Sequence, residues 1–247
     1  MKNGPIDSAD MAAAETDYNR LRNLIRNDIV NDRLKAGSRL KIRELTARYS
    51  ASAIPVREAL QQLQGEGIVR FVANRGASVR AIDTDFIRDI YEIRELVEPF
   101  LARWFVRHHK DGDLERLEAI QRDFDAAIEA SEWTKLRALN REFHGICYDS
   151  HYNEEALLMA YKHNDFINAL ADRFPRSRAR SLAVAREHRA IIAAIRAQDE
   201  NRTARAVEMH VRRSGMHLIE RMKAAGRLAS HEDDDRTSPS ARETRFR

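Results

Sequence analysis

Apolar residues in the first third of the chain recur mainly with the spacing of an α-helix. Residues 18–34 predict a first helix, whose apolar positions are Leu21, Leu24, Ile25 and Ile29. Residues 42–49 predict a second helix, and a third begins at Ser52, a typical N-cap residue, and ends at Gly65 and Gly67. The strand-like segments 68–72 and 77–79 then flank a tight turn at 73–76. Three short helices and a β-hairpin predict a winged helix-turn-helix, whose third helix enters the major groove of DNA.

From residue 83 onwards the pattern is helical throughout. It predicts six helices, at about 83–109, 113–130, 132–150, 153–174, 179–197 and 200–224. The chain turns polar after Gly226, so we expect the end of the chain to be disordered. The predicted fold class is mostly α: an N-terminal winged helix-turn-helix with a small β-hairpin wing, followed by an all-α bundle of about six helices. The predicted division is a flexible N-terminus at 1–17, domains at 18–80 and 83–224, and a tail at 225–247.

Composition narrows the class of protein further. Hydrophobic residues make up 43% and charged residues 33% of the 247 residues, which suits a packed core with a well-solvated surface. No apolar run approaches 18 residues, and the N-terminus lacks the apolar stretch of a secretory signal, so we expect no membrane segment. Cys147 is the only cysteine, which excludes an internal disulfide and fits a reducing cytoplasm. We therefore expect a cytoplasmic, nucleoid-associated protein.

The net charge of +4 is unevenly distributed along the chain. Residues 1–80 contain 14 Lys and Arg but only 9 Asp and Glu, whereas residues 81–247 contain 29 and 30. The excess positive charge thus lies in the predicted DNA-binding third, as expected for a surface that faces phosphates, although a slightly basic soluble domain would give the same count. All nine histidines, by contrast, lie between His108 and His231, which indicates two domains of different chemistry.

The DNA-binding third carries a specific family resemblance. Residues 40–79 read LKIRELTARYSASAIPVREALQQLQGEGIVRFVANRGASV, and this segment resembles the DNA-binding domain of the GntR family, FadR-type subgroup. The resemblance implies that Arg43 and Arg57 contact operator bases or phosphates, for which a guanidinium is well suited, and that Ser52 holds a phosphate. An isolated exposed arginine, in contrast, is usually only a solvated surface charge. The same resemblance places a wing tip that enters the minor groove at Asn74, Arg75 and Gly76.

The sequence departs from the family pattern at the start of the third helix. The family usually has Arg-Thr between the serine and the proline, whereas this chain has Ala53 and Ile54. An arginine that contacts bases or backbone and a hydroxyl are therefore missing. We expect an operator preference that differs from the common family pattern, or that depends more on Arg43, Arg57 and the wing.

The second domain resembles the FCD effector-binding domain of the same subgroup. The segments that carry this resemblance are IYEIRELVEP (90–99), LNREFHGICY (139–148), EHRAIIAAIRAQD (187–199) and EMHVRRS (208–214). Independently, three predicted helices each place one imidazole on an apolar face: His144, His188 and His210. Taken singly, each is more often a hydrogen-bonded core residue. Buried polar groups need partners, however, and imidazoles that converge in a helical bundle suit a metal ion.

The resemblance also implies a particular set of metal ligands. Metal-binding members of the family use Asp-x-x-x-His on one helix and a His from each of the last two helices. The three histidines match, whereas Asn140 replaces the aspartate, and an amide oxygen is a poorer ligand than a carboxylate. We therefore expect a divalent transition metal such as zinc, bound with lower affinity or with its ligand shell completed by a carboxylate of the effector. His217 is a spare ligand candidate, and Cys147 is expected to be a small core residue.

Arg94 matches a family position that contacts the effector. A guanidinium that faces a metal suits a small carboxylate or sugar acid, because the anion bridges both positive groups. The alternative is an internal salt bridge between Arg94 and a carboxylate such as Glu98.

Together these features predict a homodimeric transcription regulator that binds a palindromic operator in double-stranded DNA and responds to a small organic acid. A regulator for which the metal itself is the signal is the alternative. The chain has no Glu-x-x-His pair, nucleophile elbow, Walker loop or dinucleotide fingerprint, so we predict no enzymatic activity. A structural DNA-binding protein without an effector is a third class, in which changing Arg94 or His188 would remove no small-molecule response.

Overall fold

The computed structural model of the protein describes residues 8–72, 76–148, 153–174 and 177–226, with side chains from residue 17 onwards. Along these residues the elements are α1 (Ser8–Val30), β1 (Arg39–Leu40), α2 (Ile42–Tyr49), α3 (Ala53–Gly65), β2 (Val69–Val72), β3 (Gly76–Val79), α4 (Thr84–His108), α5 (Asp113–Glu129), α6 (Trp133–Tyr148), α7 (Glu154–Tyr161), α8 (Asn164–Asp172), α9 (Arg178–Arg196) and α10 (Glu200–Ala224). This architecture confirms the predicted fold class. None of the described helices combines the length and the apolar character needed to cross a membrane.

The first three helices and the strands form a winged helix-turn-helix. α1 packs against α3, and the apolar residues between them, which include Leu21, Ile25 and Leu60, are fully buried. The three strands form one antiparallel sheet in the order β1-β3-β2, with Arg39 opposite Ser78. β1 was not predicted, because a strand of two residues is too short to show an alternating pattern. The sheet therefore holds the wing against the segment that leads into α2.

Two predicted helices differ clearly from the structure, whereas the others agree to within two residues. α1 begins at Ser8, ten residues before its predicted start, and extends into the segment predicted to be flexible, because residues 12–15 are alanines and a glutamate with high helix propensity. The predicted helix 153–174 is two helices, α7 and α8, separated at His163, whose φ of −109° and ψ of 5° are not helical. Asn164 and Asp165 follow this break, and both residue types favour a helix start over a helix interior. The helical domain thus has seven helices among the described residues, one more than predicted.

Several predicted features lie outside the described residues. These are the turn residues 73–75 of the wing, residues 1–7, and the tail from residue 227.

The second domain is built around α4 and α10, the two longest helices of the domain, which pack against each other along their length. Asp83 and Asp199 cap their N-termini by accepting hydrogen bonds from backbone N–H groups. The close approach of α4 and α10 depends on Gly215 of α10, because a Cβ at that position would lie 2.6 Å from Cγ of Tyr91 on α4. α5, α6 and α9 complete the bundle and bring polar side chains of α6, α9 and α10 to its centre.

The corner between α7 and α8 joins the two domains. α8 packs against α1, and the buried guanidinium of Arg26 on α1 donates to both carboxylate oxygens of Glu66, at 2.9 and 2.5 Å. Asp165 at the start of α8 accepts from the same guanidinium at 3.4 Å. Nδ1 of His163 donates to the backbone carbonyl of Glu66 at 2.7 Å. The end of the recognition helix α3 is therefore anchored directly to the helical domain.

Candidate metal centre and DNA-contact surface

Three imidazoles from three helices meet in the helical domain. They belong to His144 on α6, His188 on α9 and His210 on α10, and one ring nitrogen of each lies within 4.8 Å of the others. Nε2 of His210 is 3.1 Å from Nε2 of His144. The structure thus brings together the three histidines that the sequence analysis selected. Asn140 lies one turn before His144 and lines the adjoining cavity.

Three of the six ring nitrogens in this group lack the partners that buried polar atoms normally have. Neither nitrogen of His188 has a hydrogen-bond partner among the described residues, although this residue is only 1% exposed, and Nδ1 of His144 also has none. Each unpaired buried polar atom costs about 1–3 kcal/mol. The ring of Phe143 stacks on His188 with centroids 4.0 Å apart and holds its orientation. The residues present therefore fit a metal ion, which would supply the missing partner.

The protonation states of the triad also suit a metal ligand. Burial lowers the pKa of His144 and of His188 well below the usual value, and the neighbouring His210 lowers both further. Neutral imidazoles keep the lone pair that binds a metal. Glu187 accepts a hydrogen bond from Nδ1 of His210 at 2.8 Å, which leaves Nε2 as the atom free to bind. The 3.1 Å between the two Nε2 atoms is compatible with two ligands of one ion, each at about 2.0–2.1 Å from it.

Glu187 is a member of the site that sequence reasoning missed. Its carboxylate accepts from Nδ1 of His210 through one oxygen and from Arg180 through the other, at 2.9 Å. Burial raises the pKa of Glu187, but the hydrogen bonds from His210 and Arg180 outweigh it and lower the pKa overall. The available signal was an acidic residue directly before His188 in a helix predicted to be buried. Only the packing of α9 against α10 shows that this carboxylate faces His210.

A cavity of about 240 Å³ lies beside His144 and His210. The cationic side chains that line it are Arg94, Arg137, Arg141, Arg180 and Arg221. Asn140 and His217 also border this cavity, whereas Cys147 is buried in the core, as predicted. So many guanidinium groups around one small cavity favour an anionic ligand.

Arg94 forms the ion pair that the sequence analysis gave as the alternative. Its Nε donates to Oε1 of Glu98 at 2.6 Å, and the hydroxyl of Tyr148 donates to the other oxygen of that buried carboxylate at 2.9 Å. The guanidinium nevertheless borders the cavity and lies over the ring of Tyr91, 4.8 Å from its centroid. Arg94 is therefore both held by Glu98 and placed where an anion can reach it.

The predicted DNA-contact residues that the structure describes are all exposed. Arg43 on α2 and Arg57 on α3 are exposed, and neither has a carboxylate within ion-pair distance in the described part of the chain. Ser52 occupies the N-cap of α3, but its side chain makes no capping hydrogen bond, so the hydroxyl is available to a phosphate. Gly76 at the base of the wing has a φ of +74°, which favours glycine. Asn74 and Arg75 lie outside the described residues.

Ile54 stands out at the start of the recognition helix because its side chain is 70% exposed. A large apolar side chain in the first turn of a helix that enters the major groove can contact the methyl group of thymine. The sequence analysis identified the polar groups that Ala53 and Ile54 lack, but did not consider this contact.

Comparison with known proteins gives two family matches and several relatives. The protein-family model described as "Bacterial regulatory proteins, gntR family" matches residues 17–79, and the family model described as "FCD domain" matches residues 89–213. The HTH-type transcriptional regulator YdhC of Bacillus subtilis is 24% identical over 202 residues, which cover 81% of this chain and 88% of the relative. The Nta operon transcriptional regulator of Aminobacter aminovorans is 31% identical over 130 residues, which cover 52% of this chain and 60% of the relative. The solved structure of Escherichia coli McbR/YncC is similar in fold, with a TM-score of 0.62 at 18% identity over 83% of this chain and 97% of that chain.

Proposed function

Since this chain belongs to the gntR family of bacterial regulatory proteins, carries an FCD domain and is thus a DNA-binding transcriptional regulator, we propose that a small carboxylate or sugar acid, bound together with a divalent transition metal, controls its affinity for operator DNA. Residues 18–80 read the operator through Arg43, Ser52, Arg57 and the wing, and residues 83–224 bind the effector. The protein acts as a homodimer on a palindromic operator, because two copies of one DNA-binding domain match two half-sites.

The observation that carries the effector proposal is the unpaired buried imidazole of His188, which lies against His144 and His210, two residues that line an arginine-rich cavity. His144, His188 and His210 would hold the metal, with Asn140 as a fourth, neutral ligand. The metal supplies positive charge and a position for a ligand carboxylate. The arginines around the cavity orient the rest of the anion, and Arg94 lies among them.

A specific observation also favours the alternative in which the metal itself is the signal. Arg94 already has a carboxylate partner in Glu98, so its charge is balanced without an organic acid. A metal that completes the histidine triad would then be sufficient to change the packing of α6, α9 and α10.

The route from the cavity to the DNA-binding domain follows α8. Asn164 and Asn168 of this helix line the cavity, and Arg137 of α6 forms an ion pair with Asp172 at its end. At its other end, His163 and Asp165 hold Glu66 and Arg26 of the DNA-binding domain. A ligand that displaces α8 therefore displaces α3, and it changes operator affinity by the difference in its own affinity for the two arrangements.

Metal content of the purified protein tests the site directly. We expect near-stoichiometric metal in the wild type and its loss in His188→Ala. His217→Ala is the matched control, because His217 borders the same cavity but lies outside the triad. Circular dichroism checks that each variant is folded. A folded wild type that takes up no zinc, cobalt, nickel or manganese would overturn the metal site.

Operator affinity then separates the two candidate signals. A duplex selected from a random library by the wild-type protein serves as the operator. Fluorescence anisotropy measures the dissociation constant of the protein for this duplex under three conditions: with zinc alone, with a set of small carboxylates and sugar acids alone, and with both. A shift that requires both supports the effector proposal. A shift with zinc alone supports the alternative, and no shift in any condition contradicts both.

A further inference from the structure

One large apolar side chain lies on the outer face of the recognition helix α3. It belongs to Ile54 in the first turn, which is 70% exposed, whereas Val56 and Leu60 on the opposite face are fully buried. A single exposed apolar residue is ordinary on a protein surface. The meaning of Ile54 therefore depends on what surrounds it and on its position in the helix.

The residues that share this face with Ile54 are polar. Arg57, Glu58 and Gln61 follow at three, four and seven residues, which is the spacing of one helix face, and all three are exposed. The guanidinium of Arg57 has no carboxylate within ion-pair distance in the described part of the chain, and the hydroxyl of Ser52 makes no capping hydrogen bond. Free hydrogen-bond donors thus lie before and after one apolar group. This combination is complementary to the edges of bases, which present acceptors and, in thymine, a methyl group.

The position of Ile54 in the helix also favours a contact with bases. In a helix-turn-helix, the N-terminal residues of the recognition helix reach the base edges in the major groove. Thymine is the base of unmodified DNA that carries a methyl group there. Because isoleucine is β-branched, its side chain is largely restricted to one χ1 rotamer in a helix, so little side-chain entropy is lost on contact. The exposed neighbour Ala53 adds little bulk beside it.

We propose that Ile54 is a specificity-determining residue, which selects thymine at one position of each operator half-site by packing against its methyl group. The inference rests on the part of the proposed function in which α3 reads the operator, and it requires neither the metal nor the effector. Removal of one buried methyl group should raise the dissociation constant by about fourfold, the equivalent of about 0.8 kcal/mol.

Uracil tests this contact, because it differs from thymine only in lacking the methyl group. Operator duplexes are first selected from a random library by the wild type and by Ile54→Ala, and the preference for thymine at one position of each half-site should disappear in the variant. Fluorescence anisotropy then compares the wild-type operator with a duplex that carries uracil at that position in one half-site. We expect the dissociation constant to rise by about fourfold for the wild type and to stay unchanged for Ile54→Ala.

A second pair of duplexes adds the methyl group instead of removing it. Cytosine and 5-methylcytosine are placed in turn at the same position, so that the two duplexes differ only by a methyl group at C5. The wild type should bind the methylated duplex about fourfold more tightly, and Ile54→Ala should bind both with equal affinity. A wild type that does not distinguish these two duplexes would contradict the proposed contact.

Two variants serve as controls. Arg57→Ala should weaken binding to every duplex but keep the fourfold effect of uracil. Leu158→Ala, which truncates a side chain of α7 that is 58% exposed, should bind all duplexes like the wild type. Equal affinity of the wild type for the thymine and uracil duplexes, or an equal effect of uracil in Ile54→Ala, would overturn the inference. If α3 did not read the operator at all, Arg57→Ala would bind as tightly as the wild type, which distinguishes a failure of the proposed function.

Discussion

Gly215 sets the distance between α10 and α4, and replacing it with alanine is a sharp test of that packing. A Cβ at position 215 would lie 2.6 Å from Cγ of Tyr91 and 2.9 Å from both its Cβ and its Cδ1. Carbon atoms in contact are normally about 3.5–4.0 Å apart. The atoms concerned belong to the base of the Tyr91 side chain, so rotation of the ring relieves only part of the clash. The helices themselves must separate.

Two opposing effects decide the size of the change. Overpacking of a well-packed core costs about 1–3 kcal/mol, whereas alanine is favoured over glycine in a helix interior by about 0.8–1.0 kcal/mol. Three close contacts at the base of a side chain place the Gly215→Ala clash in the upper half of the overpacking range. We therefore expect the free energy of unfolding to fall by about 1–2 kcal/mol, which for a chain of this length lowers Tm by roughly 2–8 °C.

Urea and thermal unfolding, followed by circular dichroism, measure this change. The matched control is Gly145→Ala in α6, where an added Cβ meets no atom within 4 Å, so the variant should gain up to about 1 kcal/mol from helix propensity. Gly215→Ala combined with Tyr91→Ala should lose less stability than the two single changes together, because two of the three clashing atoms are gone. A Gly215→Ala protein as stable as the wild type would refute the argument that this glycine permits the close approach.

Three further predictions concern the triad and the DNA-contact surface. Asn140→Asp should lower the dissociation constant for zinc by about 10–100-fold, measured by competition with a chromophoric chelator, since a carboxylate replaces an amide as ligand; an unchanged constant would mean that residue 140 does not reach the metal. In metal-free protein, burial holds the pKa of His144 and His188 below 6.5, so the unfolded chain takes up protons first as the pH falls. The contribution of these histidines to stability is then complete above about pH 6.5, and below it is lost by up to about 1.4 kcal/mol per pH unit for each histidine. Tm measured between pH 7.5 and 5 should fall accordingly in the wild type. In His188→Phe the pH dependence of Tm should be about half as steep. Arg57→Ala should weaken operator binding by about 1–3 kcal/mol in an anisotropy titration, whereas Arg88→Ala, an exposed arginine of the helical domain, should leave it unchanged.

The hydrophobic pattern of the sequence was sufficient to predict most helices, because which face of a helix is apolar is a local property of the chain. α2 and α10 have the predicted bounds, and the recognition helix and the wing strands agree to within one residue. The break at His163 was not predicted, since the residues on either side continue the apolar pattern. Its imidazole binds the carbonyl of Glu66, almost a hundred residues earlier, and no pattern within the helix shows that contact.

The candidate site, too, could be predicted from the sequence only in part. His144, His188 and His210 could be selected from the sequence because helical phase alone places each of them on an apolar face, and a resemblance to a known family supported the choice. The roles of Glu187 and Glu98 depended on which helix lies opposite, and helical phase carries no information about the neighbour. Side-chain packing between α9 and α10 turns Glu187 towards His210, and the fold of α4 against α6 brings Tyr148 to the carboxylate that holds Arg94. The sequence thus determined that the three imidazoles lie on buried helix faces, because helical phase is local. The tertiary structure decided which buried polar groups have partners, because only packing brings distant segments within hydrogen-bond distance.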